Sequence, residues 1–254
     1  MEKEEIKELL ELKYHQFNAP EFIETDPIQI PHLFTKKEDI EISGYIAATL
    51  AWGKRNSIIL NSTKIIERMD YAPYDFIKEY RPQDLNRFKD VKHRTFQYED
   101  ICFFMKSFHH IYQNCGGMEL LFKEGLKNGG RMKDAIFHFR KQFLRDKEGY
   151  RTQKHIANPI KGSAAKRINM FLRWMVRQDG FGVDFGIWNI DPKELFIPLD
   201  VHVGNVSRKL NLLERKANDW KAVEELTNKL KELDPSDPVK YDYALFGMGI
   251  FEKF

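Results

Sequence analysis

Hydrophobic positions recur at helical spacing along nearly the whole chain, and sustained two-residue alternation is absent. Between Glu4 and about Phe17, Ile6, Leu9 and Leu10 form one apolar stripe, closed by the aliphatic stem of Lys13. Pro20, Pro27 and Pro31 then punctuate an irregular stretch. Thr35 and Glu38 make a T-x-x-E box that predicts a helix start. The segment behind it, EDIEISGYIAATLAW, is apolar on most sides, with Gly44, Ala47 and Ala48 keeping it slim. That pattern predicts a helix at the centre of its lobe, ended by Gly53. A further helix runs to about Met69. PYDFIKEY, YEDICFFMKSFHHIYQN, MELLFKEGL and RMKDAIFHFRKQFL read as helices, with Gly116, Gly129 and Gly130 as stops.

In the second half a tight turn over Pro159 to Gly162 opens a helix, KRINMFLRWMVR, with Lys166 one turn in. Phe181 to Leu199 is irregular, with room for a short extended stretch. Another helix begins just after Asp200, and Asn218 or Asp219 caps DWKAVEELTNKLKEL. DPSDP is a hard break before a last apolar helix, YDYALFGMGIFEKF, in which Tyr241, Tyr243, Leu245 and Phe246 read as core. The expected class is all-α, in two helical lobes with a seam near Gly53. No internal repeat or low-complexity tract is visible.

Composition narrows the picture. The 254 residues are 42% hydrophobic and 31% charged, which is a globular balance. A net charge of +3 permits a nucleic-acid partner without demanding one, so local clustering of basic residues decides. No apolar run approaches the roughly 20 residues a membrane span needs. The N-terminus, MEKEEIKELLELK, is acidic and amphipathic, unlike a signal peptide. Two cysteines are too few for a secreted disulfide framework, so the expected residence is cytoplasmic. Cys102 and Cys115 have no cysteine or histidine at ligand spacing, and the adjacent His109 and His110 point about 100° apart on a helix. Asp179, Asp184 and Asp191 lie away from any such pattern. No metal, iron–sulfur cluster or other cofactor is expected.

The candidate chemistry lies between Asn158 and Leu210. Lys166 has Lys161 and Arg167 for neighbours and a helix N-terminus behind it, conditions that favour a neutral, nucleophilic amine capable of Schiff-base formation. Ala164, Ala165, Asn169 and Met170 leave room for an approaching group. Asp200 suits a helix N-cap, and a carboxylate there is also available to stabilise positive charge on a sugar ring. One oxygen can do each task. Arg167, Arg173 and Arg177, with Lys54, Arg55, Arg208 and Lys209, are candidates for a phosphate-facing surface. The turn PIKGS offers backbone N–H groups to a phosphate through Lys161, Gly162 and Ser163. Trp52, Trp174 and Trp188 are candidates for stacking on a base, with buried core the expected role for two of the three.

These residues resemble a known family. PLDVHVGNVSRKL is similar to the P-x-D-x-H-V-x-R-x-x-x-x-L segment of the helix-hairpin-helix DNA glycosylases. KRINMFLRW resembles the lysine-bearing helix of the archaeal-type oxidised-guanine glycosylases, in which F-L-R follows the catalytic lysine. IAATLAWGKR and DPVKYDYALFGMG resemble further segments of those enzymes. The chain also resembles a bacterial protein family of unassigned activity carrying GSAAKR, MFLRWMVR and DFGIW.

The glycosylase resemblance implies a two-lobed fold with a cleft between lobes. Residues of about 1–52 and 218–254 would form one lobe, and about 53–217 the other. It implies Lys166 as the Schiff-base lysine and Asp200 as the catalytic aspartate. Trp52, Lys54, Arg55, Lys161, Gly162, Ser163, Arg167, Asn169, Arg173, Trp188 and His202 would contact substrate. The partner would be damaged duplex DNA, met by a monomer that removes the base and cleaves the strand. The lack of a cysteine cluster after Asp200 excludes the iron–sulfur branch. The hairpin keeps one glycine, Gly162, where two are usual. That departure motivates two alternatives: a nucleic-acid-binding protein without catalysis, and an RNA- or nucleotide-processing enzyme using the same lysine.

Overall fold

The structure is a computed structural model and describes residues 2–145, 151–178 and 180–254. Among these residues it is helical, with no strand and two isolated bridges, His93 with Phe96 and Ser163 with Asp219. In chain order the helices are α1 (Lys3–Phe17), α2 (Glu21–Thr25), α3 (Lys37–Leu50), α4 (Arg55–Glu67), α5 (Pro73–Glu79) and α6 (Tyr98–Asn114). They continue as α7 (Met118–Leu126), α8 (Met132–Phe143), α9 (Lys166–Val176), α10 (Val201–Lys209), α11 (Trp220–Lys231) and α12 (Tyr241–Gly247). A π-turn, Met248–Glu252, extends α12.

Two compact units divide the chain. Unit 1 is Met1–Glu24 with Pro159–Phe254, and unit 2 is Thr25–Asn158. This corrects the expected seam near Gly53 and the lobes at 1–52/218–254 and 53–217. The reason is the packing of α3. Its residues from Asp39 to Leu50 are buried, and it lies against α4 and α5, all inside unit 2. Only α1 and its immediate continuation join the C-terminal helices.

Unit 2 is built round α3, as its all-round apolar pattern predicts. Tyr45 meets Phe104, Phe108, Phe139 and Phe143 at ring-centroid distances between 5.3 and 6.0 Å, and all five rings are buried. Burying each such ring contributes about 1.5–3 kcal/mol. Gly125 lets α7 approach α8, since a Cβ there would stand 2.4 Å from the Ala135 Cα. The T-x-x-E box is not used. The helix starts one residue later than the box requires, with Lys36 in the capping position and no side-chain cap. The proline-rich stretch holds two short 3-10 turns, Pro27–Gln29 and Pro31–Leu33.

In unit 1, α1 packs along α12, burying Ile6, Leu10 and Tyr14. Gly247 permits the approach, because a Cβ there would lie 2.2 Å from the Phe17 ring. α10 also packs on α12. The described residues between Phe181 and Leu199 form no strand, only a 3-10 turn at Pro192–Glu194. Asp179 lies outside the described residues.

Candidate functional site

Lys166 is the first residue of α9, not one turn inside it. The helix is entered through Ala165 in the left-handed region, φ +52°, so the chain turns sharply just before the lysine. The turn ahead of it is Pro159–Lys161 in 3-10 form, followed by Gly162 at φ +89°, a conformation suited to glycine. This turn is tied to the start of α11: the Trp220 N–H donates to the Gly162 carbonyl at 3.0 Å, and Ser163 bridges Asp219. Ser163 Oγ accepts from the Ala165 N–H at 3.2 Å. Lys161, Gly162 and Ser163 are exposed, while Lys166 and Arg167 are half-buried. The Lys166 ammonium donates to the Met170 sulfur at 3.3 Å, a weak acceptor one turn along.

Asp200 caps α10, its Oδ1 accepting from the Val203 N–H at 2.9 Å. The Asn218 side chain donates to its carbonyl at 3.0 Å, which holds the cap against the start of α11. Asp200 is half-buried and its second oxygen is not used by the cap.

Both residues act electrostatically on a group that the sequence pattern did not single out. Asp242 lies in α12, 5% exposed, between two buried tyrosines. Burial pushes its carboxyl up to about 6; Arg173 and Lys166 act to lower it, and Asp200 and Asp184 act to raise it. Lys166 and Asp200 therefore both lie within electrostatic reach of one buried carboxyl. Asp242 Oδ2 is held by the Arg173 guanidinium. Its Oδ1 is buried and accepts no hydrogen bond, and the same is true of Asn169 Oδ1, three residues after Lys166. An aspartate between tyrosines in YDYALF is the signal that was available, because a charge at a core position demands a partner.

Arg173 and Arg177 face inward, which corrects their assignment to a phosphate-facing surface. They are 3% and 1% exposed. Arg173 Nε donates to Asp184 Oδ1 at 3.3 Å, Arg177 Nη1 to Asp184 Oδ2 at 3.0 Å, and Arg177 Nε to Asp237 Oδ2 at 2.7 Å. The Tyr243 hydroxyl donates to Asp184 at 2.9 Å, and Arg177 also reaches the Tyr14 hydroxyl. Burial pulls both guanidinium groups toward neutrality, but the surrounding carboxylates hold them above their ordinary values. Their spacing from Lys166 does put them on related faces of α9; that face is the packed one. Arg208 is likewise engaged, donating to the carbonyls of Arg215 and Lys216 and to Asn218 Oδ1.

Trp188 is corrected too. It is 3% exposed, its ring edge-on to Phe171 at 5.4 Å and its backbone N–H donating to the Met175 carbonyl, so it cannot stack on a ligand without unpacking. Trp174 is fully buried. Asn169, 1% exposed, donates to the Ala164 carbonyl at 3.3 Å and is thereby part of the α9 entry rather than its surface. His202 is exposed, the second residue of α10, beside Phe246.

Trp52, Lys54 and Arg55 belong to unit 2. Trp52 is half-buried, with the Arg94 guanidinium 4.3 Å from its ring centroid and His93 bonded to its carbonyl at 3.1 Å. Lys54 is exposed at the start of α4 and Arg55 is half-buried. Unit 2 also holds a cavity of about 390 Å³ lined by Lys37, Glu41, Tyr74, Tyr112, Glu119 and Lys123. Its polar groups pair with one another: Tyr112 donates to Glu41 at 2.6 Å, and Glu119 pairs with Lys37 and with Lys123. None of the predicted site residues lines it. Among the described residues no helix is long and apolar enough to cross a membrane.

No curated protein and no solved structure matches the chain. Residues 26–251, which include α9, Asp200 and Asp242, match one family, and the chain belongs to it: the family described as "Protein of unknown function (DUF2400)".

Proposed function

We propose that this protein is a DNA glycosylase with strand-cleaving activity, of the helix-hairpin-helix type, acting on a damaged base through Lys166. The observation that carries the reading is that Lys166 and Asp200, 34 residues apart in sequence (200 − 166), each head a helix of the same unit and both act electrostatically on the buried carboxyl of Asp242. A lysine at the first position of a helix and an aspartate capping the next one are the two groups such a reaction requires.

The damaged nucleotide is extruded from the duplex so that its sugar reaches the amine. Lys166 attacks C1′, the glycosidic bond breaks with its electron pair leaving on the base, and the new ammonium loses a proton. The nitrogen lone pair then opens the sugar ring, the C1′–O4′ pair leaving on O4′, which takes up a proton, to give the Schiff base. The Asp200 oxygen left free by the helix cap stabilises the positive charge that develops on the sugar. The exposed turn Lys161–Gly162–Ser163, with Arg167 behind it, supplies ammonium and N–H groups to the phosphates.

Borohydride reduction traps such an intermediate as a stable cross-link. The wild type is expected to cross-link to at least one duplex carrying an oxidised or deaminated base, and Lys166→Gln to abolish the cross-link while the protein stays folded. Trapping that persists in Lys166→Gln removes the lysine from the mechanism. Salt-sensitive binding with no trapping across the panel moves the protein to the non-catalytic reading.

A further inference from the structure

The cavity of unit 2, about 390 Å³, falls within the range of about 300–1,000 Å³ that small-molecule pockets occupy. It is walled by the first turns of α3, by α5, by the end of α6, and by α7 with its glycine lead-in. That lead-in keeps it open. Gly116 and Gly117 have φ of +71° and +96°, so neither position readily accepts a side chain. A Cβ on Gly117 would stand 3.5 Å from the Tyr112 ring, and one on Gly116 would stand 2.7 Å from the Leu120 side chain.

The wall carries three carboxylates, Glu38, Glu41 and Glu119, against two ammonium groups, Lys37 and Lys123. Both ammonium groups are committed to Glu119, Lys37 at Oε2 and Lys123 at Oε1, the latter 2.7 Å away. Glu41, 2% exposed, accepts from the Tyr112 hydroxyl at 2.6 Å, and Lys37 stands off at 4.0 Å. Glu38 is different. It is half-buried, and it makes no hydrogen bond and no ion pair among the described residues. Its place in the first turn of α3 favours a negative charge but supplies no side-chain donor. The Tyr74 hydroxyl, on the same wall, likewise bonds to no described residue. The Tyr74 and Tyr112 rings meet edge to face at 5.3 Å. The unmatched capacity of the wall is thus one negative charge and two acceptor groups beside a pair of aromatic rings.

We propose that this cavity binds a small organic monocation, a primary alkylammonium or alkylguanidinium, whose N–H groups donate to Glu38 and to the Tyr74 hydroxyl. This site goes beyond the glycosylase reading and does not depend on Lys166. A charged donor on a half-buried carboxylate makes the stronger class of hydrogen bond. The alkyl body lies against Leu120 and the Tyr112 ring. Ring faces attract cations, and the Lys36 ammonium already stands 4.5 Å from the Tyr74 centroid. A metal ion fits the wall less well: among the described residues no three acidic, histidine or cysteine groups are placed to hold one.

Calorimetric titration of the full chain with n-butylammonium and n-butylguanidinium tests the site. The comparisons are n-butanol, tetramethylammonium, magnesium and an acetylated tripeptide containing lysine. At least one of the two alkyl cations is expected to bind saturably, about tenfold or more tighter than n-butanol or tetramethylammonium. The amide resonances that move are expected to be those of residues 37–41, 74 and 112–123. Glu38→Gln keeps the shape and removes the charge. It is expected to weaken the binding about tenfold or more while the melting temperature stays within about 2 °C, because Glu38 pairs with nothing. Tyr74→Phe is expected to weaken it about threefold, and it carries the test if Glu38→Gln does not fold.

Five results overturn the proposal. Saturable binding by neither alkyl cation removes the site, and equally tight binding of n-butanol makes the cavity merely apolar. Magnesium that displaces the amine makes it a metal site. Binding by the tripeptide alone assigns it to a protein partner. Affinity unchanged in both variants puts the cation elsewhere.

Discussion

Asp184 receives donors from Arg173, Arg177 and Tyr243 without being exposed. Removing it leaves two buried guanidinium groups short of a counter-charge, which is far more costly than losing a surface pair. Asp184→Ala is expected to lower unfolding free energy by about 3–5 kcal/mol in urea titrations. A loss under about 1 kcal/mol would place the arginines in contact with water. The partners explain why these arginines read as surface from sequence. Asp184 is 11 residues from Arg173 and 7 from Arg177, and Asp237 is 60 from Arg177, so no local spacing announces the pairs. The helix starts near Lys166 and at Asp200 were legible for the opposite reason: local residues mark both positions. Asp242 escaped because its neighbours Tyr241 and Tyr243 dominate the pattern as core, and its pairing with Arg173 spans 69 residues.

At the level of elements, helix positions followed from periodicity wherever one face is apolar, and α1 and α6 to α12 lie where that spacing predicts. The starts were less uniform. Asp219 caps α11 as expected, accepting from the Ala222 N–H at 3.1 Å, while Thr35 does not cap α3 because backbone geometry puts Lys36 there. Asp219 also accepts from the Arg215 guanidinium, which with the cap holds its carboxyl down to about 2. A carboxyl lowered on folding contributes stability that is present above its unfolded value near 3.8 and is lost as pH falls through the folded one. Asp219→Ala is expected to cost about 1–2 kcal/mol at neutral pH, with wild type and variant converging as the pH approaches about 2. Thermal melts at a series of pH values measure it, and a pH-independent gap would assign the cost to packing.

For the whole molecule, the all-α class was readable from the absence of alternation, but the division into units was not. A seam is set by which helices share a core, and α3 shares its core with helices that follow it, not with α1. Unit 2 is one continuous segment with its own aromatic cluster, which is what independent folding requires. A fragment of residues 25–158 is expected to give a cooperative thermal transition and dispersed amide resonances. A molten fragment, with helical circular dichroism but no cooperative melt, would show that this core needs the rest of the chain.

The buried arginines have one more consequence, and it concerns motion. Two turns behind Lys166, α9 is pinned by Arg173 and again by Arg177, each gripped by carboxylates from other parts of unit 1. A rod clamped in that way neither slides nor rotates to meet an incoming molecule. What remains adjustable at its tip is the lysine's own four-carbon tether, resting on a methionine. Any group that is to meet that amine has to be carried to it.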